Sequence, residues 1–109
     1  MKGTTKADER IMEMGHVQEN GAEDNASGVG QQLEMLRATK HLIDTGALPR
    51  PRRTMTYMWG NEMTMSARYK SSHPSEYNKI VAAFSNDMVG ADQATTGAVY
   101  VLDLSLIHI

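Results

Sequence analysis

The sequence predicts an α/β fold with a largely buried sheet, and three observations carry that reading. Short runs with apolar, β-branched or aromatic content recur at Glu9–Met14, Thr54–Trp59 and Lys79–Ser85. A long amphipathic segment separates the first two, and polar or glycine-bearing turns follow the runs. Alternation of this kind belongs to a layered α/β architecture, with strands covered on their faces by helices.

Each element has its own signal. "ERIMEM", Glu9 to Met14, reads as a short strand that delivers the chain to His16, although Glu13 interrupts its apolar pattern. From Ala26 to Thr45 the residues Val29, Leu33, Leu36 and Ile43 recur at helical spacing. Asn25 or Ser27 is placed to cap the start of that helix, and Gly46 suits its stop. Pro49 and Pro51 then break any helix, and "TMTYMW", Thr54 to Trp59, reads as a second strand.

"GNEMTMSARYKSSHP" leads into a short helix that ends at His73 and Pro74. "KIVAAFS", Lys79 to Ser85, is a third strand running to Asn86 and Asp87, and "TGAVYVLD" offers a fourth. The nine methionines are expected mostly to fill the core, notably Met55 and Met58.

Composition narrows the chemistry. Eleven basic against thirteen acidic residues leave no polybasic footprint, so nucleic acid is not an expected partner. With no cysteine in the chain, a metal site has to be built from His, Asp and Glu. No apolar run approaches the roughly 18 residues of a membrane span, and "MKGTTKADER" lacks the apolar core of a signal peptide. The final "LSLIHI", Leu104 to Ile109, resembles the translation of a transposase mosaic-end adapter used in preparing sequencing libraries. The expected division is therefore a partial catalytic domain over 1–103 and a non-native tail over 104–109.

His16, Glu62 and Asp87 each fall just after an expected strand, and Asp24 just before the long helix. In open α/β sheets such positions converge on one rim, outside the carboxyl ends of the strands. Carboxylates crowded there repel one another, and a divalent cation is the simplest way to keep them ionised. Taken singly, each residue is as well read as a solvated loop residue or a helix cap.

The order and spacing of "GHVQENGAEDNASGVG", "YMWGNEM" and "AAFSNDMVG" resemble the successive metal-site motifs of the co-catalytic di-zinc aminopeptidases, metallopeptidase family twenty-eight. The resemblance runs from about Gly3 to Asp103. It implies a three-layer α/β/α zinc-exopeptidase fold with a mixed, mostly parallel sheet. It also implies two zinc ions, a peptide substrate with a free N-terminus, hydrolysis by a water held between the ions, and a secreted or periplasmic location. By the same resemblance His16 and Asp87 bind one zinc, Asp24 bridges both, and Glu62 binds the second. The second ion's histidine has no counterpart here, because His108 belongs to the expected tail; the fragment by itself is expected to be inactive.

Two departures from the family pattern stand out. Asn61 occupies the position of the general base, and an amide cannot accept a proton at neutral pH, so Glu62 is the alternative base. Gln18 stands where many members carry an aspartate that orients the metal-binding histidine, leaving Gln18 or Glu19 to support the ring. The alternative reading is a catalytically silent binding or receptor-like domain of the same fold, with Asn61 its chief support. A zinc-dependent acyl-transfer or cyclisation enzyme on this fold is a further rival.

Overall fold

A computed structural model describes residues 1–102. Its sheet has three strands, β1 (Lys6–His16), β2 (Arg53–Gly60) and β3 (Ile80–Ser85), in the order β2-β1-β3. Both pairings are parallel, with Met14 opposite Met58 on one side and opposite Ser85 on the other. The first strand in sequence is thus the central one and the longest, paired with β2 at Lys6 and from Arg10 to His16 and with β3 from Arg10 to Met14. The α/β expectation holds and the sheet is parallel throughout the described residues, but the sheet is not largely buried: β3 leaves Val81 and Phe84 exposed.

Helix α1 (Ala26–Asp44) matches the amphipathic segment closely. The short helix expected to end at His73 and Pro74 is α2 (Met65–Ser72), and a further short helix that was not expected, α3 (Pro74–Tyr77), follows it. The break has a covalent cause: the residue before a proline is pushed out of the helical region, and His73 has φ −134° and ψ 55°. Pro74 then suits the first turn of the next helix, where its missing N–H costs nothing.

The expected fourth strand is not formed within 97–102. Helix α4 (Gln93–Thr96) ends on Gly97 at φ +69°, and Val99 to Leu102 follow as irregular, exposed chain. An apolar, β-branched run becomes a strand only where a sheet edge takes up its backbone groups. The expected tail, 104–109 with His108, lies outside the described residues.

The path β1–α1–β2 moves outward from the centre and β2–α2–α3–β3 returns across it, so right-handed crossovers put the two helical layers on opposite faces. Side chains agree. Gly15 lies against Val29 and Gln32 of α1, where a Cβ would sit 3.3 Å from Val29 Cγ2. On the other face Met12, Met14, Met58, Ile80 and Ala83 meet Ser66, Tyr69 and Tyr77 around a cavity of about 240 Å³. Met55 and Met58, expected in the core, are half-buried, and among the described methionines Met12 is the buried one.

Two of the three largest fully buried side chains among the described residues are polar, Gln32 and Asn25; Met12 is the third. Gln32 Nε2 donates to the Met14 carbonyl at 2.5 Å, and its Oε1 accepts from Trp59 Nε1 at 2.8 Å. One amide therefore fastens α1 to both β1 and β2. That attachment sets where the N-terminus of α1 comes to rest, beside the end of β1.

Candidate metal centre

Four segments meet at the carboxyl ends of the strands. β1 ends in His16, whose side chain is 4% exposed. The β1–α1 turn carries Asp24, the β2–α2 turn carries Glu62, and Asp87 follows β3. The turn bearing Asp24 closes tightly, with Ala26 N–H donating to the Gly21 carbonyl at 3.3 Å. Gly21 allows this because a Cβ there would run into the Asp24 carbonyl oxygen.

Three of the four expected ligands converge most closely. His16 Nε2 lies 3.1 Å from Asp87 Oδ1 and 3.3 Å from Asp24 Oδ1. His16, Asp24 and Asp87 can each offer a ligand atom with all three atoms within 4.8 Å of one another. Glu62 stands slightly farther off, its Oε2 3.7 Å from the same nitrogen. Asp24 Oδ1 is buried without a hydrogen-bond partner. A carboxylate oxygen left so is costly unless a cation or proton meets it.

The electrostatics fit that geometry. Burial draws the His16 imidazole down, but the hydrogen bond to Asp87 and the charges of Asp87, Glu62 and Asp24 outweigh it and leave the ring above its ordinary value. Glu19 is held above the usual carboxylate range, first by a hydrogen bond with Asp24, then by burial and by the charges of Asp24 and Glu62. The pocket attracts positive charge and resists additional negative charge, as a cation site does.

The supporting residues are placed differently from a simple ring-orienting arrangement. Gln18 Oε1 accepts from the Glu62 backbone N–H at 3.1 Å, so Gln18 fixes the Glu62 turn instead of the imidazole. Glu19 Oε2 is 3.7 Å from His16 Nδ1, too far for a hydrogen bond, and Nδ1 has no partner. Asn61 Oδ1 accepts from Met63 N–H at 3.1 Å and Thr64 Oγ1 at 3.3 Å. Its amide is therefore engaged in the turn that starts α2. His41 lies in the last turn of α1, and His73 stacks on Tyr69 at the end of α2.

The family model described as Peptidase family M28 matches residues 1–102. The chain belongs to peptidase family M28. Neither the curated proteins nor the solved structures gave a match. M28 peptidases are metal-dependent, and the donor set here, one imidazole nitrogen and carboxylate oxygens, suits zinc. Among the described residues no helix is long and apolar enough to cross a membrane.

Sequence reasoning missed the residues that hold this candidate site together. Asn25 was legible only as a helix cap; it is 1% exposed and bonds to both sides of Asp87. Glu13, an interruption in a strand pattern, accepts from Asn86 Nδ2 at 3.2 Å and braces the segment next to Asp87. The available signal was a charged residue at an inward strand position, which needs a partner.

Proposed function

We propose that this chain is the metal-binding part of an M28 aminopeptidase, an exopeptidase that hydrolyses the peptide bond next to a free N-terminus. The observation that carries the reading is the convergence of His16 Nε2, Asp24 Oδ1 and Asp87 Oδ1, three atoms from three separate segments, around a buried and unpartnered carboxylate oxygen. In this reading His16, Asp24 and Asp87 would hold one zinc, and Glu62 together with Asp24 would help to hold a second. Zinc, when bound, polarises the scissile carbonyl and lowers the pKa of the attacking water.

The chain's own residues then have distinct tasks. The exposed outer sides of Asp24, Glu62 and Asp87 leave room for a substrate amine, which their negative charge attracts. Gln18 fixes the Glu62 backbone so that its carboxylate stays turned toward His16. With the Asn61 amide engaged in its own turn, Glu62 is the alternative base, a role it would take in place of its position in the ligand set. The second ion's histidine has no candidate among the described residues, so turnover is proposed for the parent protein that completes the set.

Asn61 favours one second reading, a silent M28 relative that binds peptides without cleaving them. Zinc analysis of the parent protein together with hydrolysis of amino-acid anilides separates the two. Release of the aniline from substrates with a free but not an acetylated N-terminus is expected. Two equivalents of zinc without turnover would establish the silent relative, and cleavage of acetylated substrates would remove the aminopeptidase assignment.

A further inference from the structure

Asp24 and Asp87 are carboxylates on different segments, and like charges brought together push their segments apart. Something has to hold the two loops at a fixed separation before any cation arrives. The Asn25 amide sits at that junction. Its Oδ1 accepts from Gly28 N–H at 3.0 Å, the ordinary bond of a helix cap. The same oxygen accepts from Met88 N–H at 3.2 Å, and Nδ2 donates to the Asn86 carbonyl at 2.8 Å.

Those last two groups flank Asp87 on either side. A serine or threonine cap satisfies Gly28 equally well, but it lacks the planar pair of acceptor and donor that grips an N–H and a C=O at once. Met88 has φ +51°, a left-handed conformation uncommon outside glycine, so the loop needs a fixed partner there. A parallel tie runs through Ser27, whose Oγ donates to the Glu23 carbonyl at 2.6 Å and accepts from Val89 N–H at 3.1 Å. Gly28 and Gly90 permit the approach: a Cβ on Gly28 would meet the Asn86 carbonyl, and one on Gly90 would come 2.7 Å from Ser27 Cβ.

We infer that Asn25 is a positioning residue for the metal centre, its amide setting the separation of the Asp24 and Asp87 carboxylates, with Ser27 as a secondary tie. The inference rests on the metal-binding reading of His16, Asp24 and Asp87. Asn25 touches neither ion nor substrate; it acts through the backbone on either side of Asp87. Residues that orient ligands typically change metal affinity about 10- to 100-fold when removed.

The test is zinc affinity of the full chain, measured by competition with a chromophoric chelator, alongside urea unfolding with and without zinc. Asn25→Ala is expected to weaken zinc binding at least tenfold and to shrink the zinc-induced gain in stability. Ser27→Ala, which leaves the Asn25 cap in place, is expected to weaken binding about threefold and remains informative if Asn25→Ala does not fold. A purely structural role would lower stability by the same amount with and without zinc at unchanged affinity, and that result overturns the inference while leaving the metal site intact. Unchanged affinity in Ser27→Ala, where Asn25→Ala cannot be purified, overturns it too. A wild-type chain that takes up no zinc overturns the metal reading and the inference with it.

Discussion

The indole N–H of Trp59 on β2 and the amide oxygen of Gln32 on α1 meet at 2.8 Å, while the other end of the same amide holds the carbonyl of Met14 on β1. A completely buried glutamine with both ends satisfied is a rivet between helix and sheet. Its removal takes a partner from the Trp59 indole N–H, which is partly exposed, while the Met14 carbonyl keeps its bond from Asn86 N–H at 3.0 Å.

Gln32→Ala is therefore expected to destabilise the chain by about 1–3 kcal/mol, from two lost hydrogen bonds at roughly 0.5–1.5 kcal/mol each. Chemical denaturation measures it. A loss below about 1 kcal/mol would mean that water replaces the amide.

Two glycines of α1 should respond in opposite directions to the same change. Gly30 is exposed with open space around its Cβ position, and Gly30→Ala is expected to stabilise by about 0.5–1 kcal/mol. Gly28→Ala drives a methyl into the Asn86 carbonyl and the Asn25 amide, and is expected to cost both stability and zinc affinity. Equal effects at the two positions would contradict the close approach at Gly28.

Glu13 should make stability fall as pH rises. Burial raises its carboxyl above the ordinary range, and the bond from Asn86 only partly offsets this. The folded chain then holds the proton more tightly than the unfolded chain does. The stabilisation is complete below the ordinary value of about 4.3 and is lost as pH climbs through the raised one. Glu13→Gln keeps the shape and removes the charge, so its melting temperature at pH 7 is expected to exceed that of the unsubstituted chain, with the difference vanishing near pH 4. A less stable variant at pH 7 would show that the carboxylate's bond to Asn86 outweighs its burial.

Zinc should stabilise the chain in proportion to its affinity, by about 2.7 kcal/mol at a hundredfold excess over Kd. A strong chelator is expected to reverse the gain. Asp24→Asn keeps the side-chain shape but offers a neutral oxygen, and should weaken binding at least tenfold. Calorimetric titration showing unchanged affinity would remove Asp24 from the ligand set.

How far the sequence reveals this molecule depends on the range of the interactions involved. Helix α1 was legible almost to the residue, since its spacing and Asn25 cap are local signals. The three strands were located but β1 was drawn short, because its added pairings at Lys6, Gly15 and His16 are made with β2, a distant stretch of chain. The apolar run after Gly97 read as a strand, yet no edge takes it up within the described residues. At the site, His16, Asp24, Glu62 and Asp87 were found through motif order, and the structure gathers them. The ties through Asn25, Ser27, Glu13 and Asn86 span long stretches of chain, and nothing in the local pattern of an asparagine or serine reveals a partner that distant.

The topology also orders events in time. His16 and Asp87 are 71 residues apart, and the strand that delivers Asp87 is the last of the three to be made. At roughly 5–20 residues per second of synthesis, about 4–14 s separate the emergence of the first donor from that of the last. During that interval the nascent chain offers an imidazole and scattered carboxylates without the geometry that selects an ion. Tight zinc capture then becomes a late event that reports a seated third strand, and a ribosome stalled before Asp87 would leave a chain with weak hold on the metal.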